Sequence, residues 1–281
     1  MANIESKTGS FQNADKMQVF YRHWPVADAK AVVVICHGLG EHGDRYGNLV
    51  DRIVPAGYAA FAHDHRGHGK SAGLRGHVDS FDQFLNDVYR MIAMAREIYP
   101  EKRIFLLGHS MGGLIVLAYA LRHPDTIDAV IASGAALKLA VEVPKLKATI
   151  GSLMAKIWPT LSLSNGLDPQ QISHDPEVVR AYIADPLVHD RVTARFFQEF
   201  TATIDKTNLG AAALTMPLLM FHGGDDMICH PDGTRAFFEL AGSKDKTCEI
   251  FNGQYHEVLN DLDKDKALDL IQRWLDEHVV G

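Results

Sequence analysis

Cysteine is scarce in this 281-residue chain: there are three, Cys36, Cys229 and Cys248, with no CxxC spacing. So odd and sparse a set argues against a disulfide framework or a zinc ribbon and fits a reducing compartment. Basic runs are also missing. With 28 basic against 35 acidic side chains and a formal net charge of −7, the chain offers no electrostatic footprint for phosphate backbones, and no nucleic-acid partner is expected. No apolar run approaches the roughly 20 residues of a spanning helix. The opening MANIESKTGSFQNADKMQVFYRHWP lacks the apolar core of a secretory signal, so a cytoplasmic location is expected. What the chain does have is 47% hydrophobic and 22% charged residues, enough apolar surface and length to bury a full core, which excludes disorder and a mini-protein scaffold. Histidine, at fifteen residues, is in surplus, as metal ligands or proton-transfer groups would be, or for no functional reason.

The first half alternates strand and helix signals. Met17 to Arg22 alternates apolar and polar residues, the pattern of a half-solvated strand. Ala31 to Cys36, Tyr58 to Ala62, Ile104 to Leu107 and Ile127 to Ala132 are apolar throughout, as parallel strands buried on both faces require. Phe81, Phe84, Leu85, Val88, Ile92 and Ala95 recur at helical spacing, with Ser80 as cap and Pro100 past the end. This order predicts βαβ units in a mainly parallel sheet. The rhythm breaks after residue 136 and resumes at Pro217 to Phe221. The stretch between shows no strand signal. It carries one apolar stripe (Leu146, Ile150, Leu153, Met154, Ile157) ended by Pro159, and a second helical pattern from Phe196 to Ile204. Residues 1–136 and 214–281 therefore read as one catalytic domain, and 137–213 as a helical cap inserted between two of its strands.

Gly108-His109-Ser110-Met111-Gly112 is a G-x-S-x-G with a buried strand running in and an apolar helix running out. In that setting the motif is a nucleophile elbow, with Ser110 on a sharp turn at the sheet edge. Reversal from strand to helix crowds backbone on backbone at Gly108 and Gly112, and holding Ser110 in a sparsely allowed conformation costs roughly 1–3 kcal/mol. The helix N-terminus beneath it favours developing negative charge. A serine hydroxyl needs a base, and the base an orienting acid. On such a fold they follow in the order Ser, acid, His, each after a strand. The loop after Phe221 offers Asp225 and Asp226, and the loop after Thr247 to Phe251 offers His256; the remaining downstream histidine of this kind, His278, reads as solvated on a terminal helix. Oxyanion donors are expected from the Met111 amide and, in the loop Cys36 to His42, from that of Leu39, each typically worth about 2.7–4 kcal/mol of barrier.

Taken together, these segments resemble the monoacylglycerol lipase and lysophospholipase-like branch of the serine α/β-hydrolases. The resemblance rests on His37-Gly38-Leu39-Gly40-Glu41-His42 with Arg45-Tyr46, Asp64-His65-Arg66-Gly67-His68-Gly69-Lys70-Ser71, Gly108 to Gly113, Ser164-Asn165-Gly166-Leu167, Asp185-Pro186-Leu187-Val188 and His222-Gly223-Gly224-Asp225-Asp226. It spans about residues 30 to 260 and implies an α/β-hydrolase fold, a sheet of about eight strands with a helical cap over an acyl tunnel. It prefers Asp226 over Asp225 as the acid, implies a triad of Ser110, Asp226 and His256 with oxyanion amides at Leu39 and Met111, and places Glu41, Arg45 and His109 around a glycerol head. The implied activity is hydrolysis of monoacylglycerols through an acyl-enzyme, with neither cofactor nor metal. An esterase or lysophospholipase of different preference is the alternative, and a non-catalytic hydrophobic-ligand binder a more distant one. Ser110 speaks against dehalogenase and epoxide hydrolase chemistry, which uses an aspartate nucleophile.

His63-Asp64-His65-Arg66-Gly67-His68 resembles the HxHxDH signature of metallo-hydrolases, but Gly67 stands where that signature needs aspartate. It reads instead as a tight loop in which Asp64 and Arg66 hold neighbouring backbone. Cys229, three residues past Asp226, is expected near the site, so that its alkylation obstructs substrate; full activity after complete alkylation would end that idea. The cap stripe, with Lys145, Lys147 and Lys156 at its margins and Trp158 after it, has the composition of a helix at a lipid interface. The competing reading is a lid helix packed on the catalytic domain; both hold if the lid moves, making transient peripheral membrane contact.

Overall fold

The computed structural model describes residues 4–140 and 145–279, with the backbone alone over 145–150. In chain order it runs β1 (Lys7–Gln12), β2 (Gln18–Trp24), β3 (Ala31–Cys36), α1 (Gly47–Ile53), β4 (Tyr58–His63), α2 (Asp82–Ile98), β5 (Ile104–His109), α3 (Met111–Arg122) and β6 (Ala129–Ser133). There follow α4 (Lys145–Ile157), β7 (Ser162–Ser164), α5 (Pro176–Ala184), β8 (Arg191–Thr193) and α6 (Ala194–Gly210), then β9 (Leu218–Gly223), α7 (Pro231–Leu240), β10 (Lys246–Phe251) and α8 (Lys264–His278). Among the described residues, eight strands form one sheet in the order β1-β2-β4-β3-β5-β6-β9-β10. The β1–β2 and β2–β4 pairs are antiparallel and every other neighbouring pair is parallel. This is the α/β-hydrolase architecture.

Helices on both faces bury β3, β4, β5 and β9 at every residue, which is why their sequences are apolar without interruption. The two-residue period survives inside that burial. Val32 and Val34 face the core shared with α2 and α3, whereas Val33 and Ile35 face the one shared with α1 and α8. The edge strand β1 is absent from the sequence expectations because, of its six residues, only Phe11 is buried, so no apolar alternation marks it. His278 differs from its expected solvation. Its ring stacks on Trp274 at 3.9 Å, with Nδ1 2.7 Å from the Trp274 carbonyl and Nε2 3.1 Å from Asp245.

Among its described residues, the segment between β6 and β9 holds three α-helices and, contrary to expectation, a ribbon in which β7 pairs antiparallel with β8; three-residue strands are too short to show alternation. The unanticipated α5 starts at Asp175-Pro176, where the Asp175 carboxylate accepts the Glu177 amide at 2.9 Å. Helix α6 seats this segment on the catalytic core through Phe196 and Phe200, whose rings meet Phe84 and Phe81. On α4, Ala155 is buried while Leu153 and Ile157 are 54% and 69% exposed, as is Trp158 just after it at 56%. Leu146, Ile150, Lys145 and Lys147 of the expected stripe lie outside the described side chains. The chain entering this segment is hydrogen-bonded to the loop after β9: Leu139 bridges Cys229, the Ala140 amide reaches the Ile228 carbonyl at 3.0 Å, and the His230 amide the Lys138 carbonyl at 2.8 Å. No helix among the described residues is long and apolar enough to cross a membrane.

Candidate active site

The turn from β5 into α3 holds Ser110 at φ 55° and ψ −119°, and of the described non-glycine residues only Lys16 shares a positive φ. The neighbours explain the glycines. A Cβ on Gly108 would run into the Gly112 carbonyl oxygen, and one on Gly112 into the Cys36 and His37 carbonyls at the end of β3. Close approach of α3 to β5 needs the first, and to β3 the second. The Ser110 amide donates to the Ser133 carbonyl at 2.9 Å, tying the elbow to β6.

Asp226 follows β9 and is buried, whereas Asp225 is exposed. Four donors converge on the Asp226 carboxylate. Oδ1 accepts the Ile228 and Cys229 amides at 2.8 and 2.9 Å, and Oδ2 accepts His256 Nδ1 at 2.6 Å and His222 Nε2 at 3.0 Å. Burial alone would push this carboxyl up, but the His256 imidazole and the hydrogen bonds from both histidines outweigh it and hold the group well below the usual carboxylate range. Burial alone would push His256 down; the charge and hydrogen bond of Asp226, aided by Glu257 and Glu41, outweigh it and raise the imidazole above its ordinary value. Ser110 and His256 line one cavity of about 310 Å³, without meeting hydrogen-bond geometry with each other. The Ser110 hydroxyl lies against the Cys229 thiol, and burial pushes that thiol far up.

Neither the Leu39 nor the Met111 amide has a hydrogen-bond partner among the described residues, and Met111 is the first residue of α3, where no helical acceptor exists. Both amides are thus free to hold an oxyanion. Glu41 braces this loop from inside: Oε1 accepts the Gly38 amide at 2.5 Å and the Tyr46 hydroxyl at 2.9 Å, and Oε2 accepts Arg45 Nη1 at 2.7 Å. Arg45 also grips Glu257 bidentately at 2.6 and 2.8 Å. Glu41 and His109 line the cavity, but Arg45 does not; its fork is spent on the two carboxylates. His109 stands 4.7 Å from the His256 ring, and burial, with His256 beside it, pushes it down to about 3, so it stays neutral. Sequence reasoning gave no role to Glu257, Tyr46 or His222. The His-Glu pair at 256–257 was a signal for the first; Tyr46 and His222 lie within the motifs that carry the resemblance, but nothing in those motifs shows what their side chains touch.

In the loop after β4, Asp64 accepts the Gly43 and Lys70 amides at 3.0 and 2.8 Å. Arg66 does not hold backbone as expected but pairs bidentately with Asp87 at 2.7 and 2.8 Å. Cys36, His63 and His65, all buried, bring ligand-type atoms within 4.8 Å of one another.

The family model described as serine aminopeptidase, S33, matches residues 27–263. A monoacylglycerol lipase of Mycolicibacterium smegmatis is 35% identical over 96% of this chain and 97% of its own length. The chain belongs to the monoacylglycerol lipase-like α/β-hydrolases. A monoglyceride lipase of Rattus norvegicus is 32% identical over 95% of this chain and 90% of its own. In three dimensions, the crystal structure of a Paleococcus ferrophilus monoacylglycerol lipase overlays with a TM-score of 0.85 at 35% identity, covering 98% of this chain and 99% of that one. The enzyme is a carboxylic ester hydrolase.

Proposed function

We propose that the enzyme cleaves monoacylglycerols to fatty acid and glycerol, with Ser110, His256 and Asp226 as nucleophile, base and acid. Ser110 Oγ attacks the ester carbonyl as His256 takes its proton, and the Leu39 and Met111 amides receive the oxyanion. His256, held by Asp226, returns the proton to the departing glycerol oxygen, leaving an acyl-enzyme. Water, deprotonated by His256, attacks the acyl carbon and releases the fatty acid and the Ser110 hydroxyl. The observation carrying this reading is the strained Ser110 sharing one cavity with His256, whose Nδ1 lies 2.6 Å from Asp226 Oδ2. Near full-length relatives named as monoacylglycerol lipases supply the substrate class.

The cavity wall favours a glycerol over a phosphoglycerol head. It carries Glu41, Asp168, Asp185, Asp190 and Glu257, with no Lys or Arg among its described residues, and so repels a phosphate while offering acceptors to hydroxyls. Glu41 and His109 are the proposed head-group contacts, with Arg45 holding Glu41 in place behind them. Residues 137–213 serve as the cap, closing the cavity through Asn165, Leu167, Ile172 and Tyr182. Leu153, Ile157 and Trp158, flanked by Lys156, are the proposed face for transient membrane contact.

Fluorophosphonate labelling, with initial rates on monoacylglycerols, lysophospholipids and p-nitrophenyl esters, tests the reading. Ser110 is the expected adduct, Ser110→Ala abolishes labelling, and monoacylglycerols outrun lysophospholipids by roughly tenfold or more. Equal labelling of Ser110→Ala would sink the mechanism, and preference for lysophospholipids the substrate class.

A further inference from the structure

A second imidazole stands on the proposed catalytic acid. His222, the fifth residue of β9, is fully buried, and its Nε2 lies 3.0 Å from Asp226 Oδ2, the same oxygen that receives His256 Nδ1 at 2.6 Å, and 2.9 Å from the Cys229 carbonyl. Both partners of Nε2 are acceptors, so this nitrogen carries a proton. On the other side, Nδ1 is 2.7 Å from the hydroxyl of Thr234 in α7, also fully buried. That hydroxyl has no other partner among the described residues, so its own proton is satisfied only by donation to Nδ1, which fixes His222 as the Nε2–H tautomer.

We propose that the Thr234–His222 pair is a positioning device for the triad: Thr234 sets the tautomer of His222, and His222 Nε2–H orients the Asp226 carboxylate and draws off part of its charge, trimming the basicity of His256. The inference rests on the reading of Asp226 and His256 as acid and base. Oδ1 is pinned by two backbone amides, so Oδ2 is the oxygen whose direction side chains decide. His222 holds it from within the sheet, where the strand cannot shift, and leaves one lone-pair direction for His256. The other groups facing His256 are Glu257 on its own loop, His109 at the end of β5, and Glu41 with Arg45 behind it in the loop after β3.

The pH profile of kcat/KM on a short soluble ester separates this role from plain packing. In His222→Leu, Asp226 loses a donor, holds the His256 imidazolium more tightly, and moves the acid limb to higher pH, with KM little changed. Mere loosening of the packing would weaken the Asp226–His256 contact and move the limb the other way. His222→Gln, which keeps a donor at the same reach, returns the limb toward its original position. Thr234→Val, which leaves the imidazole in place, shifts the limb in the same direction as His222→Leu by a smaller amount, and covers the case in which His222→Leu does not fold. An unmoved or acid-shifted limb in Thr234→Val, or His222→Gln behaving like His222→Leu, overturns the proposal. Asp226→Asn and His256→Gln serve as controls: full activity in either removes the acid–base reading itself, whereas their inactivity beside unaltered His222 variants removes this inference alone.

Discussion

Replacing Arg45 by methionine keeps the length of the side chain and deletes the charge that separates two buried carboxylates. Arg45, Glu41 and Glu257 have side chains 11%, 5% and 6% exposed, so water cannot take over the role of the guanidinium. Removing one partner from a buried ion pair costs about 3–5 kcal/mol, mostly because the orphaned charge stays desolvated. For a domain of this size that corresponds to a fall of roughly 10 °C in Tm. The deficit depends on pH in a defined direction. In the intact enzyme, burial tends to raise the Glu257 carboxyl, but Arg45 outweighs it and holds the group below its ordinary value. Its contribution to stability is therefore present above the unfolded value, near 4.3, and is lost as pH falls through the folded one. Without Arg45 burial is opposed mainly by the hydrogen bond from the Asn260 amide, which it outweighs; the carboxyl rises above its unfolded value, and the variant regains stability as pH falls and the group protonates. Urea unfolding of both proteins between pH 5 and 8 is the assay: the gap is expected to be widest at pH 8 and to narrow toward pH 5. A loss under about 1 kcal/mol, or a gap constant with pH, would refute the claim that Arg45 neutralises buried carboxylates.

As the proposed base, the raised His256 would have to be neutral to accept the Ser110 proton, so kcat/KM for a soluble ester is expected to rise along an acid limb above the ordinary imidazole value of about 6.5; a limb below about 6 contradicts this. His109, held down at about 3, adds no second limb. Cys229 is 1% exposed with its thiol pushed far up, so iodoacetamide at pH 7.5 is expected to modify it roughly tenfold or more slower than an unfolded thiol; once modified, mass spectrometry and activity loss should track together, and Cys229→Ala should be insensitive. Trp158→Glu is expected to reduce co-sedimentation with anionic vesicles severalfold while sparing hydrolysis of a soluble ester; failure of the unaltered enzyme to pellet removes the membrane contact.

The parallel strands were readable because burial on both faces demands uninterrupted apolar residues, and Val32 to Ile35 supply them. Gly108 and Gly112 were readable because their reason is local: backbone meets backbone two residues either side of Ser110. The sheet edge at β1 was not, since a strand with a single buried residue leaves no pattern. The β7–β8 ribbon and α5 were missed where elements are short and tertiary contacts set their ends. Within the site, Arg45 shows the limit most clearly. The resemblance places it with Glu41 and His109 around a glycerol head, but only the fold reveals Glu257, 212 residues away, as its main partner. The choice between Asp225 and Asp226 is likewise one of orientation, decided by which carboxylate the turn after β9 points inward.

The hydrogen bonds from Lys138, Leu139 and Ala140 to the loop of residues 228–230 bear on how such enzymes diversify. Caps look exchangeable because they are inserted between two strands, and the tempting seam here is residue 137, where the strand rhythm stops. A graft made at that seam would discard the three residues that pin the loop carrying the proposed acid, Asp226, and is expected to alter catalysis along with specificity. Moving the seam past Ala140 leaves that brace with the catalytic body and frees the remainder of the insertion to be replaced as a cartridge, so that substrate range can drift while the chemistry stays fixed.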